Sequence, residues 1–238
     1  TIVSFSDAHS LEKIGRETTI LKAKTETDFS FEDLSKALKK DPRSRWQVKG
    51  TIEFYPEEGK YHYTGHRRCN ISQSPEETKK QGTLCPVCGK PLTIGVTYRV
   101  AHLASQKITP IKRKLGETVF NFHPQGENPP YVMAVPLSEI ISETINSSPN
   151  SQKVKKIYDQ MIEKLGPELE IIIHLPLETI KTNFFYLIPK ITEAIEKVRN
   201  QDIFIKPGFD GVFGKVKIWP EEKNEEKEKV NNVQMGLF

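Results

Sequence analysis

The chain has 238 residues, 36% of them apolar and 28% charged, with 35 Lys and Arg against 31 Asp and Glu for a net charge of +4. No apolar run approaches the roughly 18 residues of a membrane helix, and the opening TIVSFSDAHS lacks the basic start and small-residue cleavage site of a signal peptide. A cytoplasmic protein without a membrane span is expected, and its three cysteines, two of them in a CxxC, favour metal or redox chemistry over disulfides.

In chain order, Ile2, Val3 and Phe5 predict a core strand that ends in the polar string Ser6-Asp7-Ala8-His9-Ser10. With no initiator Met before it, the chain is expected to begin inside a domain. A second strand is predicted over 18–24. Ser30 offers an N-cap with Asp33 three residues on, opening a helix over 31–39 that turns Leu34, Ala37 and Leu38 inward and stops at Asp41-Pro42. Trp46, Val48, Ile52 and Phe54 alternate with polar residues and predict a half-buried strand over 46–55, followed by a turn at Pro56-Glu57-Glu58-Gly59. Ser74 and Pro75 mark the start of a short helix, and 92–100 reads as a strand.

Residues 106–130, rich in Pro and Gly and carrying Lys112-Arg113-Lys114, read as loop. Helices are predicted over 137–145 and 153–165, the second ended by Gly166-Pro167. A strand follows over 169–174, then a Pro-initiated helix over 189–199, and strands over 203–206 and 216–219. The last residues form a charged, aromatic-poor tether for which disorder is expected. Within it, residues 221–229 hold five Glu against three Lys, so the remainder carries +6, a mild attraction for a polyanion. Short helices alternating with short strands define an α+β chain.

The most specific chemistry lies at His66-x2-Cys69-x15-Cys85-x2-Cys88. Zinc takes four tetrahedral N or S donors, and two donors three residues apart can clasp one ion only where the backbone turns tightly. Cys85-Pro86-Val87-Cys88-Gly89 supplies such a turn, because Pro86 fixes φ and Gly89 accepts a positive one. His62 competes with His66 for the fourth place. Buried thiols without an ion are the plain alternative. A redox CxxC would need a strand-to-helix setting that is missing here. Four protein ligands leave no open position, so this zinc is structural.

Asp7 and His9 stand two apart at the end of the predicted first strand, hence on one face. A carboxylate and an imidazole at a strand's C-terminal end can hold a catalytic metal, although a DxH on spacing alone is more often a satisfied surface pair. The string Phe5-Ser6-Asp7-Ala8-His9-Ser10 resembles the last metal motif of the polymerase and histidinol phosphatase (PHP) superfamily. The order SDAHS, GHRRC, CPVCGKPLTIGV and PGFDGVFGKVKI is similar to the endonuclease Q family, DNA repair nucleases with a PHP domain followed by zinc-binding and helical regions. That resemblance covers nearly the whole chain.

The resemblance implies four regions. They are the C-terminal end of a PHP (β/α) barrel over 1–45, a zinc-ribbon-like module over 46–105, a mixed α/β region over 106–220, and a flexible tail over 221–238. It also implies a monomer that hydrolyses the phosphodiester on the 5′ side of a deaminated base, such as hypoxanthine or uracil, or of an abasic site. Divalent ions, zinc, manganese or magnesium, would activate water there, and the lesion would be flipped from the stack. Of the catalytic ligands only Asp7 and His9 carry over. The family's earlier motifs, beginning with an HxH, are absent, so the rest of that site is expected upstream of Thr1 and this piece alone is expected not to cleave DNA. A PHP phosphatase of small phosphoesters and a non-enzymatic zinc module that recruits partners to DNA stand as alternatives.

Arg67, Arg68, Lys112, Arg113 and Lys114, with Arg43 and Lys49, are candidates for phosphate contacts, against the alternative of a solvated basic face. In Gly208-Phe209-Asp210-Gly211-Val212-Phe213-Gly214 the glycines imply tight turns or close backbone approach, and Phe209 and Phe213 are expected in the core rather than stacked on bases. Finally, Gln234-Met235-Gly236-Leu237-Phe238 is similar to the peptide that binds the bacterial sliding clamp. Gln234 would hydrogen-bond at the rim while Met235, Leu237 and Phe238 fill an apolar cleft, and the charged tether would let the protein trail the clamp. Docking of that tail on its own protein is the alternative.

Overall fold

A computed structural model describes residues 2–23 and 28–220. Its centre is a mixed five-stranded sheet in the order β1-β2-β7-β6-β5. The strands are β1 (Thr18–Ala23), β2 (Trp46–Glu53), β5 (Ile111–Leu115), β6 (Thr118–Phe122) and β7 (Tyr131–Met133). β1 runs antiparallel to β2 with Thr18 opposite Ile52, while β2 and β7 are parallel with Thr51 opposite Tyr131. Between β1 and β2 lies α1 (Phe31–Leu38). Its N-terminus closes as a full capping box, because the Ser30 side chain accepts from the Asp33 amide and Asp33 accepts from the Ser30 amide.

Helices α4 (Leu137–Thr144), α5 (Gln152–Leu165), α6 (Glu168–Ile173), α7 (Leu177–Phe184) and α8 (Ile191–Arg199) pack together with the sheet residues Ile52 and Val132. Ile140, Met161, Ile171, Ile180, Ile191 and Ile195 are fully buried at its centre. Within this apolar unit Arg199 is buried too, and its guanidinium donates to the carbonyls of Ile171, Ile172 and Leu175 and to Glu117 Oε2. The same Glu117 oxygen accepts from the Leu177 amide, so one ion pair joins the end of α6 to the start of α7.

The remaining elements form a smaller layer. It holds β3 (Thr64–His66), β4 (Ile71–Gln73), α2 (Pro75–Gln81) and α3 (Val96–Leu103), together with the hairpin β8 (Phe204–Lys206) and β9 (Lys215–Lys217). After β9, Glu143 Oε1 on α4 accepts from the amides of Ile218 and Trp219, which fastens the hairpin to the helical unit.

The structure corrects several sequence expectations. Residues 2–8 form no strand. Ile2 and Phe5 are about two-thirds exposed, and the segment is held by Ser4, which bonds Thr19 and Glu53 rather than a backbone ladder. Residues 92–100 do not form a strand either: the Gly95 amide donates to Thr64 Oγ1 and α3 starts there, so tertiary contact overrides β propensity. The 106–130 loop contains the β5–β6 hairpin, whose outer strand is exposed throughout and so shows no apolar alternation. The Ile171-Ile172-Ile173 run is helix α6, because a short, wholly buried apolar run looks alike in either state. Helix α7, with only Ile180 and Phe184 buried, was not anticipated. Moreover, the sheet crosses the expected boundaries at 45/46 and 105/106, since β1 pairs with β2 and β2 with β7.

Candidate metal centre and basic surface

The end of β3, the 3-10 turn Arg67–Cys69 and the Cys85–Cys88 knuckle bring four donors together: the ligand atoms of His66, Cys69, Cys85 and Cys88 all lie within 4.8 Å of one another. His66 Nδ1 stands 3.5 Å from Cys88 Sγ. His62 lies outside this group, its ring beside that of Tyr63. The knuckle turns on Gly89, at φ +71°, whose amide donates to the Cys85 carbonyl, while the Cys85 amide donates to Lys90.

Three thiols this close cannot all ionise without a cation. Burial and the hydrogen bonds its thiol donates to Cys88 and Cys85 push Cys69 up to about 11. Burial also opposes ionisation of Cys85, but the amides of Cys88 and Val87, with His66, outweigh it and bring that thiol down to about 6. A dication reverses the repulsion, and one imidazole with three sulfurs is a closed tetrahedral zinc set that fits these residues.

A loop from the far end of the chain buttresses the cluster. Asp210 Oδ2 accepts from the Arg67 amide at 2.6 Å and Oδ1 from the Thr93 hydroxyl at 2.5 Å, contacts that hold its carboxyl below the usual range. Thr93 pairs with Gly65 through both backbone groups. Gly65 can be nothing larger, because a Cβ there would come within 2.6 Å of the Phe209 ring and 2.4 Å of the Ile71 carbonyl. Phe209 is buried as expected, whereas Phe213 is 69% exposed, with Lys60 over its ring.

The basic candidates fall in separate places. Arg67 and Arg68 form the turn beside the metal ligands. On β5, strand periodicity splits the Lys-Arg-Lys run: Lys112 and Lys114 stand opposite Asn121 and Val119, while Arg113 stands opposite Phe120 and reaches over the Phe122 ring. Lys49 is exposed on β2, and Arg43 is engaged by Asp41. Asp7 and His9 are both exposed, Asp7 at φ +45°, with His9 Nδ1 2.7 Å from the Asp7 carbonyl oxygen. They therefore do not share a strand face, and they stand outside the metal-capable group found among the described residues. Gln234, Met235, Leu237 and Phe238 lie outside the described residues.

Sequence reasoning missed Asp210 and Thr93. A lone Asp beside a glycine was the available signal for the first, and there was none for the second. It also missed a cleft of about 550 Å³ lined by Lys13, Arg16, Glu139, Tyr158 and Glu168. There Arg16 lies 3.6 Å from the Phe54 ring centroid, 2.8 Å from Glu139 and 3.8 Å from Glu58. Burial, then the Glu139 charge, pushes Glu58 up to about 7 against the pull of Arg16.

Fold and cluster together define a mixed-sheet α/β protein with a Cys/His group that could hold a metal ion and a helical unit over α4–α8. Residues 136–202, the helical unit, match the family model of the MJ0043 C-terminal domain. An uncharacterized Methanocaldococcus jannaschii protein, MJ0043, is 30% identical over 236 residues, covering 96% of this chain and 27% of that protein. The uncharacterized Bacillus subtilis protein YqxK is 27% identical over 214 residues, 89% of this chain and 45% of that protein. Among solved structures, the lesion-specific endonuclease Q of Pyrococcus furiosus superposes with a TM-score of 0.69 at 28% identity, covering 97% of this chain and 52% of that one. An endonuclease Q complex with a 27-mer duplex carrying an abasic lesion gives 0.68 at 26% identity, covering 94% of this chain and 52% of that one. The chain is endonuclease Q-like, and it spans between about a quarter and about half of the proteins it matches.

Proposed function

We propose that the chain works as part of a metal-dependent DNA repair endonuclease that cuts on the 5′ side of a deaminated base or an abasic site. The observation that carries this reading is the superposition on endonuclease Q over nearly the whole chain, at an identity high enough to speak for more than fold. His66, Cys69, Cys85 and Cys88 hold a structural zinc, and that ion keeps the Arg67-Arg68 turn in one shape. Arg67, Arg68, Lys112 and Lys114 contact phosphates and position the duplex without reading sequence. Arg113, spent on Phe122, contributes less.

In this reading 1–45 is the end of a PHP domain, 46–105 the zinc module, 106–220 the helical support and 221–238 a flexible tether. The sheet pairs strands from each of the first three, so they are in contact rather than separate beads. Divalent ions at the PHP site would supply an activated water and neutralise phosphate charge. Asp7 and His9 provide two of the ligands, and cleavage requires more than this pair, so the 238 residues alone bind DNA without nicking it. Gln234, Met235, Leu237 and Phe238 tether the protein to a bacterial sliding clamp. The protein is a cytoplasmic monomer; no helix among the described residues is long and apolar enough to cross a membrane.

The test uses the intact gene product on a duplex with one abasic site, uracil or hypoxanthine. Asp7→Ala with His9→Ala should abolish cleavage and leave binding intact, and unchanged cleavage would remove both from the site. Lys112→Glu with Lys114→Glu should lower the salt slope of DNA binding by about 2, whereas Arg113→Glu alone should change it by less than 1. An unaltered slope in the double variant would sink the phosphate assignment.

A further inference from the structure

The loop between β8 and β9 touches the metal cluster without contributing a ligand. We infer that Asp210 is a positioning residue of the metal centre, fixing His66 and the Arg67 turn from a point 143 residues away from Arg67 in sequence.

Four backbone hydrogen bonds seat the loop independently of any ion. The Gly208 amide donates to Glu57, the Tyr63 amide to Gly208, the Gly211 amide to Lys60 and the Gly214 amide to Glu58. Asp210 itself holds φ +41°, in the left-handed region that Asp enters more readily than most L residues. The carboxylate is thereby delivered to the two segments that flank the site, the Arg67 turn and Thr93. One oxygen takes the amide that follows His66, and the other takes the hydroxyl of Thr93, which lies just past the Cys85–Cys88 knuckle and is paired by its backbone to Gly65. Phe209 fills the space that Gly65 leaves. Asp210 thus bridges the His66–Cys69 half of the cluster to the Cys85–Cys88 half. Groups that orient metal ligands from outside the ligand shell typically alter metal affinity about 10- to 100-fold, and Asp210 does so through the backbone of Arg67 rather than through a ligand side chain.

This inference rests on the reading that the Cys/His group holds a metal. The experiment loads the full chain with Co²⁺, records the thiolate-to-cobalt and d–d absorption, and follows release to a chelator. Wild-type protein should show a tetrahedral spectrum. Asp210→Ala should release cobalt about 10- to 100-fold faster with altered d–d bands. Thr93→Val, which removes one of the two bonds, and Asp210→Asn, whose amide oxygen can still accept one, should fall between, and these milder variants keep the test decisive if Asp210→Ala misfolds. Asp159→Ala, remote on α5, should match wild type. Wild-type spectra and release rates in all three variants would overturn the role of Asp210. Failure of the wild-type chain to take up cobalt would overturn the metal reading itself, and the role of Asp210 with it.

Discussion

The layer that carries the Cys/His group and the helical unit achieve order by different means. Between Pro56 and Leu103 the buried apolar side chains are Cys85 and Leu92, while Leu137 to Val198 contributes an almost unbroken set of buried isoleucines with Leu137, Met161 and Phe184. A region that buries so little apolar surface cannot offset its conformational entropy alone, and small domains of this kind usually depend on a metal or disulfides. The layer compensates with four clustered donors, the seating of the 208–214 loop and the capping box of Ser74 and Glu77 on α2. The helical unit needs none of this. Its one buried cation, Arg199, is fully engaged by carbonyls and Glu117.

The largest expected effect divides the two regions cleanly. Structural zinc sites supply on the order of 10 kcal/mol to the modules they organise. Cys85→Ser or exhaustive chelation should therefore abolish amide protection across β3, β4 and α2 in hydrogen exchange while leaving α4–α8 protected. Parallel loss in both regions would show that the contrast drawn here is false. The converse perturbation is Arg199→Ala. It strands three carbonyls and Glu117 in the helical unit and should lower stability by about 3–5 kcal/mol in urea unfolding, without releasing metal.

A smaller effect depends on pH and belongs to the cluster of Glu58 and Glu139 around Arg16. Glu58 is raised to about 7 by burial and Glu139, so its proton is favoured in the folded state. Its contribution is fully present below the usual carboxylate range and is lost as pH rises through about 7, with Glu139, also raised by burial, acting in the same sense. Lys13, Arg16 and Lys217 oppose the shift. Glu58→Gln should flatten the decline in stability between pH about 5 and 8, and an unchanged pH profile would count against the half-buried pair. The smallest effect lies outside both regions: Ser30→Ala should cost about 1 kcal/mol through loss of the α1 capping box.

The legible parts of the fold were those in which local chemistry and tertiary context agree. The Ser30 and Ser74 caps, the Gly166-Pro167 stop and the alternation through Trp46 and Val48 could be read directly, because each signal is complete within a few residues. The misreadings share one cause. Ile2, Val3 and Phe5 looked like a core strand and the triple isoleucine of α6 like another, yet whether an apolar run is paired, helical or exposed depends on neighbours far along the chain. Likewise the four metal donors stood out by spacing, but Asp210 and Thr93 come together with them only through the fold. The Lys112-Arg113-Lys114 run was visible as charge. That its middle member faces Phe122 required the β5–β6 register.

The most direct measurement is the affinity of the 238-residue chain for a duplex bearing one abasic site, by fluorescence anisotropy, zinc-loaded and zinc-stripped at one fixed salt concentration. If the clasp shapes a DNA-contacting edge, stripping should weaken binding by about tenfold or more as the Arg67-Arg68 contacts are lost. Equal affinity in the two states would contradict that account.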